Sequence, residues 1–509
     1  MENEQKNGNS GFIITAVLGV LAVGILIFAG FMLLPFFGGG EEAETAETPP
    51  EAKLVLYEGP KTYETSQTAK IFANGNELFV YDSAVNPART NKGNYDVSSL
   101  DTTPMTYFDF DGEALIEISL SDGSNIAEIM SASVSPLASG IKPEIKGNSV
   151  SFKITEPGQY TVQFNNSPYR AAHIFANSLE TTIPDKNDPN VLWVEPGEWT
   201  VEEGIQLLTG QTLYLSGGAV LHATVSAQFA ENVKILGRGM IDGGIWDTWR
   251  GSNAKVPVDF RYCKNVEVEG IIINNSNAWC FNAFETEHAV VDNVKIISAR
   301  PNGDGFTLQS CRDFVVKNGF SRTWDDSLVV KNYEGNTDGI TFSNMLVWTD
   351  LAQSCEIGYE TNKGKLPDSK LSNIVFENIT VINAFHKPVL SIHNSDDALV
   401  ENVTYRNIVV ENAAMGGGDA GENRQLIDIY ISGSGWTSTK ERGRVRNVSF
   451  ENISVIAGTQ TPTIRITGFD EKHNIDGVSI KGLTVFGKPV TDFGEVKLAS
   501  RYAENVTIE

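Results

Sequence analysis

Basic charge is scarce in this sequence. Lys and Arg number 39 against 64 Asp and Glu, a formal net charge of −25, and no Lys/Arg block offsets it. A surface of that sign repels a phosphate backbone, which excludes nucleic acid as a partner, and it repels an anionic membrane surface equally. Cysteine is rare as well: Cys263, Cys280, Cys311 and Cys355 are the only four. None falls in a CxxC or Cys/His spacing, so no metal site is expected. The four read as small buried apolar side chains rather than as a disulfide framework. There is no P-loop and no strand-linked GxGxxG, so no organic cofactor is expected.

What is present is the composition of a turn-rich globular chain, with 47 glycines, 41% hydrophobic residues and 20% charged residues. At 509 residues two or three units are expected. Residues 12–37, "FIITAVLGVLAVGILIFAGFMLLPFF", carry no charge and exceed the ~20 apolar residues that cross a bilayer. They predict a transmembrane helix after an N-terminal tail of residues 1–11. No small-residue cleavage site follows, so the helix reads as an uncleaved anchor. Acidic residues beyond it fit an exported, extracytoplasmic body at the cell surface or in the periplasm. Residues 38–51, rich in Gly, Glu, Thr and Pro, cannot bury a face and read as a flexible acidic linker.

The exported body is all-β in pattern. Residues 52–180 break into short alternating strands such as "EALIEISLSDG" and "NSVSFKITEPGQYTVQF", which indicates a small antiparallel β-sandwich. Residues 190–509 carry an irregular repeat, seen in "CKNVEVEGIIINNS", "CRDFVVKNGFS", "LSNIVFENITVIN" and "VRNVSFENISVIA". Each unit is a β-branched run, an Asn or Gly corner, and a second run. Val266 and Val290, and Val290 and Phe314, lie 24 residues apart, about one coil of chain. Such a unit cannot bury its own apolar face, but stacked units share one core, the architecture of a right-handed parallel β-helix. Asn378, Asn402, Asn447 and Asn452 match the N-glycosylation pattern, yet they recur in phase with the repeat. They read as corner residues that tolerate a left-handed backbone.

Against this background two segments stand out, "ARPNGDGFTLQS" and "SRTWDDSLVVKN". Asp304 precedes Asp325 by 21 residues and Asp326 by 22, close to one coil, which places three carboxylates together on the outer face of neighbouring coils. An Asp-Asp pair alone is most simply a turn at a strand start; the companion one coil away points to chemistry. Like charges that close raise at least one pKa and leave an acid beside a base. Glycoside hydrolysis requires that asymmetry.

The segments "GRGMIDGGIWDTW", "NSNAWCFNAFETEHAVVDNVKI", "NGDGF" and "WDDSLVVKN", in this order, resemble the clan that joins polygalacturonases (glycoside hydrolase family 28) with dextranases and isopullulanase (family 49). The likeness covers most of residues 190–400. It implies an inverting hydrolase of polysaccharide with Asp325 as general acid and Asp304 and Asp326 as the water-activating pair. Polygalacturonases carry Gly-His-Gly after the Asp-Asp motif and then Arg-x-Lys. Neither occurs here, and His386, Lys387 and His393 do not reproduce them. The run after Asp326 and the preceding sandwich are similar to family 49, whereas the interval between the two motifs is closer to the polygalacturonase pattern. The expected substrate is therefore a neutral α-glucan, as for dextranases, with a polygalacturonase-type pectin hydrolase as the alternative.

A neutral sugar is held by aromatic faces and hydrogen-bonding side chains, so Trp279, Asn302, Trp324, Lys331, Glu356, Tyr359 and Glu360 are the expected substrate contacts, with Trp348 near them. Two other functions stay open. A calcium-dependent polysaccharide lyase would ligate the ion through the aspartates and use Arg300, Arg322 or Lys331 as base. A non-catalytic glycan-binding surface scaffold would bind sugar without turnover.

Overall fold

The computed structural model describes residues 53–87, 100–167, 170–249, 251–384, 387–414 and 425–509. The expected tail, membrane anchor and linker lie outside those residues, as does His386. Among the described residues no helix is long and apolar enough to cross a membrane.

Two sheets face each other in the N-terminal part. One orders the strands Lys53–Leu56, Asp101–Asp111, Ala171–Ser178, Gly158–Phe164 and Ala132–Ser135, with Tyr81–Val85 also paired to Asp101–Asp111. The other orders Asn76–Glu77, Ala69–Ala73, Ala114–Leu120, Ser149–Ile154 and Glu144–Lys146. Alternation decides the faces: Ile116, Ile118, Val150 and Phe152 turn inward against Phe108, Phe110 and Val162. One pairing departs from the antiparallel expectation, because Ala171–Ser178 lies parallel to Asp101–Asp111. Between those two strands the chain crosses to the second sheet and back twice, and Ala171–Ser178 is reached from the antiparallel Gly158–Phe164, an order that alternation alone does not reveal.

From Val191–Val194 to Ala503–Ile508 the strands stack in parallel into sheets of 21 and 11 strands, apart from a short hairpin of Thr484–Val485 with Lys488–Pro489. One continuous core runs between them from Leu207 to Val496. Parallel pairing in register puts like over like. Phe342, Phe376, Tyr405 and Phe450 form an interior pile with ring centroids 5.2, 4.9 and 4.9 Å apart. Asn318, Asn344, Asn378, Asn407 and Asn452 form a corner pile with φ between 53 and 55°. Their amides are linked at 3.1 Å from Asn344 to Asn318, 3.0 Å from Asn407 to Asn378 and 3.1 Å from Asn452 to Asn407. Asn447 and Asn402 form a parallel pile at 3.3 Å. The four sequon asparagines thus hold corners. The four cysteines are buried and free.

The coil length is not the constant 24 residues that the valine spacing suggests. Val266 pairs with Ala289, which pairs with Phe314, and Val290 points outward at 39% exposure. Corners absorb or release a residue from coil to coil, and a one-residue shift exchanges the faces.

Buried charges rivet the sandwich to the helix. Arg238 Nε meets Asp109 at 3.1 Å and Arg238 Nη1 meets Glu269 at 2.9 Å. Lys295 Nζ donates to Asn177 at 2.6 Å. Arg322 lies over the Trp348 ring at 4.0 Å, pairs with Asp350 at 3.3 Å and donates to His173 at 3.1 Å. Burial and the Arg322 charge hold His173 well below the usual histidine range, so its ring is neutral. Trp348 therefore belongs to this seam, and Arg322 is fully committed within it. Replacing Asp350 by Ala strands the Arg322 charge and should cost ~3–5 kcal/mol of unfolding free energy, read from denaturant melts; an unchanged midpoint would show that the pair does not hold the seam.

Candidate active site

Five strands of the 11-stranded sheet carry the site: Phe281–Phe284, Phe306–Gln309, Leu328–Lys331, Cys355–Tyr359 and Leu390–Asn394. Phe281, Phe306, Leu328, Cys355 and Leu390 share one register line. Continuing that line back by two residues sets Asp304 level with Asp326 on the next coil, ~4.8 Å away along the stack. The backbone agrees, since Gly305 N donates to Asp326 O at 2.8 Å. Both glycines of N-G-D-G are needed for this approach: a Cβ on Gly303 would lie 2.2 Å from Ser298 Oγ, and one on Gly305 2.4 Å from Ser327 O. Hydroxyls tie the Trp-Asp-Asp-Ser turn down, at 2.7 Å from Thr323 to Ser327, 3.2 Å from Ser327 to Thr349 and 2.9 Å from Thr349 to Ser354.

The three carboxyls are not equivalent. Asp304 is 4% exposed and Asp326 9%, while Asp325 is only half-buried. Asp325 Oδ2 accepts from Asn302 N at 3.0 Å and its Oδ1 from Asp326 N at 3.1 Å. Burial still raises its pKa, but these amides, Lys331 and Lys387 oppose the rise. Asp326 accepts one amide, from Gln353 N at 2.9 Å. Burial, then the charges of Asp325 and Asp304, push it well above the usual carboxylate range. Burial and Asp325 push Asp304 up to about 8, outweighing Lys331 at 3.8 Å. Burial and mutual repulsion thus raise all three, and the trio holds on to protons to higher pH than isolated carboxylates do. Of the three, Asp325 has the surroundings most suited to a carboxylate.

Lys331 reaches Glu360 at 3.3 Å as well as Asp304 and lies 5.0 Å from the centroid of the half-buried Trp279 ring. Burial works against its charge, yet Asp304 and Glu360 hold it cationic. Glu360 also accepts from Tyr333 OH at 3.4 Å. Asn302 is exposed at the lip. Trp324 is 7% exposed and packs on Leu351. Glu356 is fully buried, bound by Ser391 and by His393 Nδ1 at 2.8 Å. Tyr359 stacks on the His393 ring, with centroids 4.5 Å apart. The structure therefore gathers Asp304, Asp325, Asp326, Trp279, Asn302, Lys331 and Glu360, places Tyr359 on the adjoining wall, and seals Trp324 and Glu356 beneath.

Two features escaped sequence reasoning. Gln353 supplies the amide to Asp326 and donates from its side chain to Tyr359 OH at 3.3 Å. A charge chain also runs up the outer face: His393 Nε2 meets Asp428 at 3.1 Å, and Arg465 grips both Asp428 oxygens at 2.6 and 2.5 Å. Burial pulls the His393 ring down, but Glu356 and Asp428 on either side push it up to about 10. Alternating outward residues on successive strands were the available signal. Unequal coil lengths hid it.

Arg300 is also committed, donating to Trp246 O, Gly243 O and Asn275 O at 2.5, 3.1 and 2.9 Å. Among the described residues no group of three or more His, Cys, Asp or Glu is arranged to hold a metal ion. A groove of about 1080 Å³ lies elsewhere, along the seam beside Gln159, Asn177 and Lys317, and is lined by none of the three aspartates.

The family model for glycosyl hydrolases family 28 matches residues 209–497. No curated protein matches the chain. Among solved structures, Dex49A from Penicillium minioluteum is 14% identical, with 89% of this chain and 96% of that chain covered and a TM-score of 0.62, a likeness of fold. A hyperthermoactive exopolygalacturonase from Thermotoga maritima is 20% identical over 63% of this chain and 84% of that chain, with a TM-score of 0.44.

A carboxyl whose native pKa lies above its unfolded value binds more protons folded than unfolded, so its contribution to stability falls as pH rises from ~3.9 towards the native value. Asp326→Asn removes that term while keeping an oxygen for Gln353 N. The melting temperature at pH 8, the value to which Asp304 is pushed, should rise by a few degrees, and the alkaline decline should flatten. A drop in melting temperature would show that the trio is not under charge strain.

Proposed function

This chain belongs to glycosyl hydrolases family 28 and is a glycoside hydrolase of polysaccharide; we propose that it cleaves a neutral α-glucan with inversion, using Asp325 as the acid. The observation that carries the reading is the gathering of three carboxyl groups on two neighbouring coils, Asp304 level with Asp326 and both buried, with the half-buried Asp325 beside them. Asp325 stands at the mouth, where a bound sugar would displace its water and move a proton of the trio onto it. Asp304 and Asp326, one coil apart and behind it, then hold the attacking water as a base pair. Inversion and the division of roles come from the family resemblance.

Charge pairing supports a neutral substrate. A polyuronate presents a carboxylate on each residue and calls for a cationic partner. Lys331 is shared by Asp304 and Glu360, His393 by Glu356 and Asp428, and Arg465 is bidentate on Asp428. The same commitments weaken the lyase reading, because Arg300, Arg322 and Lys331, its possible bases, are all bound. Family membership favours pectin hydrolysis as the second reading. In the proposed setting residues 12–37 tether the enzyme to a membrane and its body acts outside the cytoplasm.

The full-length protein should release reducing ends from dextran or pullulan in EDTA, without unsaturated products. Release from polygalacturonate alone would select the second reading. Asp325→Asn should lower kcat/KM by about 10²–10⁴-fold with glycan binding retained, and preserved turnover would remove Asp325 as the acid. Turnover of the unaltered enzyme should fall as pH rises through about 8, where Asp304 gives up its proton; a profile flat to more alkaline pH would exclude that proton from the reaction.

A further inference from the structure

The loop after strand Gln425–Ile431 leaves the sheet three coils beyond Leu328–Lys331, ~14 Å up the stack. It does not stay at that level. It folds back, and Trp436 comes to rest with its ring centroid 5.5 Å from that of Tyr359. Tyr359 OH is bonded to the side chain of Gln353, whose backbone N–H holds Asp326. Trp436 is thus three contacts from the trio, on its C-terminal side.

The loop is built to stay there. Asp396 is fully buried and its Oδ1 accepts from Ser438 N at 2.7 Å, Thr439 N at 2.9 Å and Thr439 Oγ1 at 3.1 Å. Its Oδ2 accepts from Thr361 N at 3.2 Å and Asn362 N at 3.3 Å. One carboxylate therefore clamps this loop to the turn after strand Cys355–Tyr359. Lys363 Nζ adds a bond to Trp436 O at 3.2 Å. A lone exposed apolar side chain is ordinary on a protein surface. Here the backbone just after the indole is fixed by a buried carboxylate, while the indole is left 57% exposed.

We propose that Trp436 is a sugar-stacking subsite of the same site, taking the apolar face of a neutral pyranose unit of the polysaccharide beyond Tyr359. This rests on the hydrolase reading above and adds to it the determinant of chain-length preference. An indole offers a large rigid apolar face at little entropic cost. On this wall His393 and Arg465 are paired with Glu356 and Asp428 and Lys363 Nζ is turned to the Trp436 carbonyl, which favours stacking rather than charge as the means of recognition.

The test uses the full-length protein carrying Asp325→Asn, titrated calorimetrically with isomalto- and malto-oligosaccharides from the disaccharide upward. Affinity should climb with length, and adding Trp436→Ala should remove about tenfold for the longest ligands while leaving the disaccharide unchanged. Trp436→Phe should restore most of the loss. Equal affinities with and without the indole at every length overturn the proposal, and so does an absence of binding to both series. Turnover separates the two readings. Trp436-dependent binding with no reducing ends from the unaltered enzyme keeps the subsite and sinks the hydrolase reading for these glucans. Cleavage of dextran or pullulan at the same kcat/KM by Trp436→Ala keeps the hydrolase and sinks the subsite.

Discussion

Parallel strands hydrogen-bonded in register from coil to coil leave no freedom to choose what lies above what. Each side chain on a sheet sits ~4.8 Å from its counterpart one coil away, so the helix rewards residues that gain from standing on their own kind. Asparagine does, as the Asn452 amide donates to Asn407 and the Asn407 amide to Asn378. Aromatic rings do, as Phe376, Tyr405 and Phe450 pile with planes within 4°. Carboxylates do not. The same ladder that stabilises the core forces Asp304 towards Asp326, and burial removes the water that would screen them. At Asp304 and Asp326 the stacking rule works against buried side chains.

That unfavourable column has to be held, and the structure shows by what. Gly303 and Gly305 let the backbone close in where a Cβ would clash. The hydroxyl run through Thr323, Ser327, Thr349 and Ser354 ties the Asp-Asp turn to the coil above. On the far side of the helix, the Arg238 and Arg322 clusters fix the sandwich against the wall behind the site. The supports come from several coils, so the site is a property of the stack rather than of a loop.

This explains what could be read in the sequence. The helix was legible because every coil repeats the same demand, a β-branched run and a corner that accepts positive φ. The trio was legible because two short motifs lie one coil apart with no insertion between them. Legibility ended where coils change length. Val266 and Val290 looked equivalent, but Ala289 is the true partner. Glu356, His393, Asp428 and Arg465 belong to four successive coils and lie 37, 35 and 37 residues apart, a longer coil than the one read at the Asp motifs. Trp348 and Arg322 resembled residues of the site because they flank its motifs. Their side chains face the seam with the sandwich, and that seam is set by tertiary packing alone.

Substrate charge and proton retention turn out to be linked. An unpaired cation placed beside the trio to receive a uronate would also stabilise the ionised carboxylates, lower their pKa values and draw off their protons at lower pH. Here Lys331 could have played that part. Instead it also pairs with Glu360 at 3.3 Å, with Asp304 at the longer distance of 3.8 Å and still pushed up to about 8. Higher on the same face, Asp428 holds Arg465 with both oxygens, and His393 is enclosed between Glu356 and Asp428. The pairing that draws Lys331 towards Glu360 also leaves Asp304 pushed up to about 8, so the proposed neutral substrate and a carboxyl that keeps its proton near neutral pH draw on one arrangement of charge.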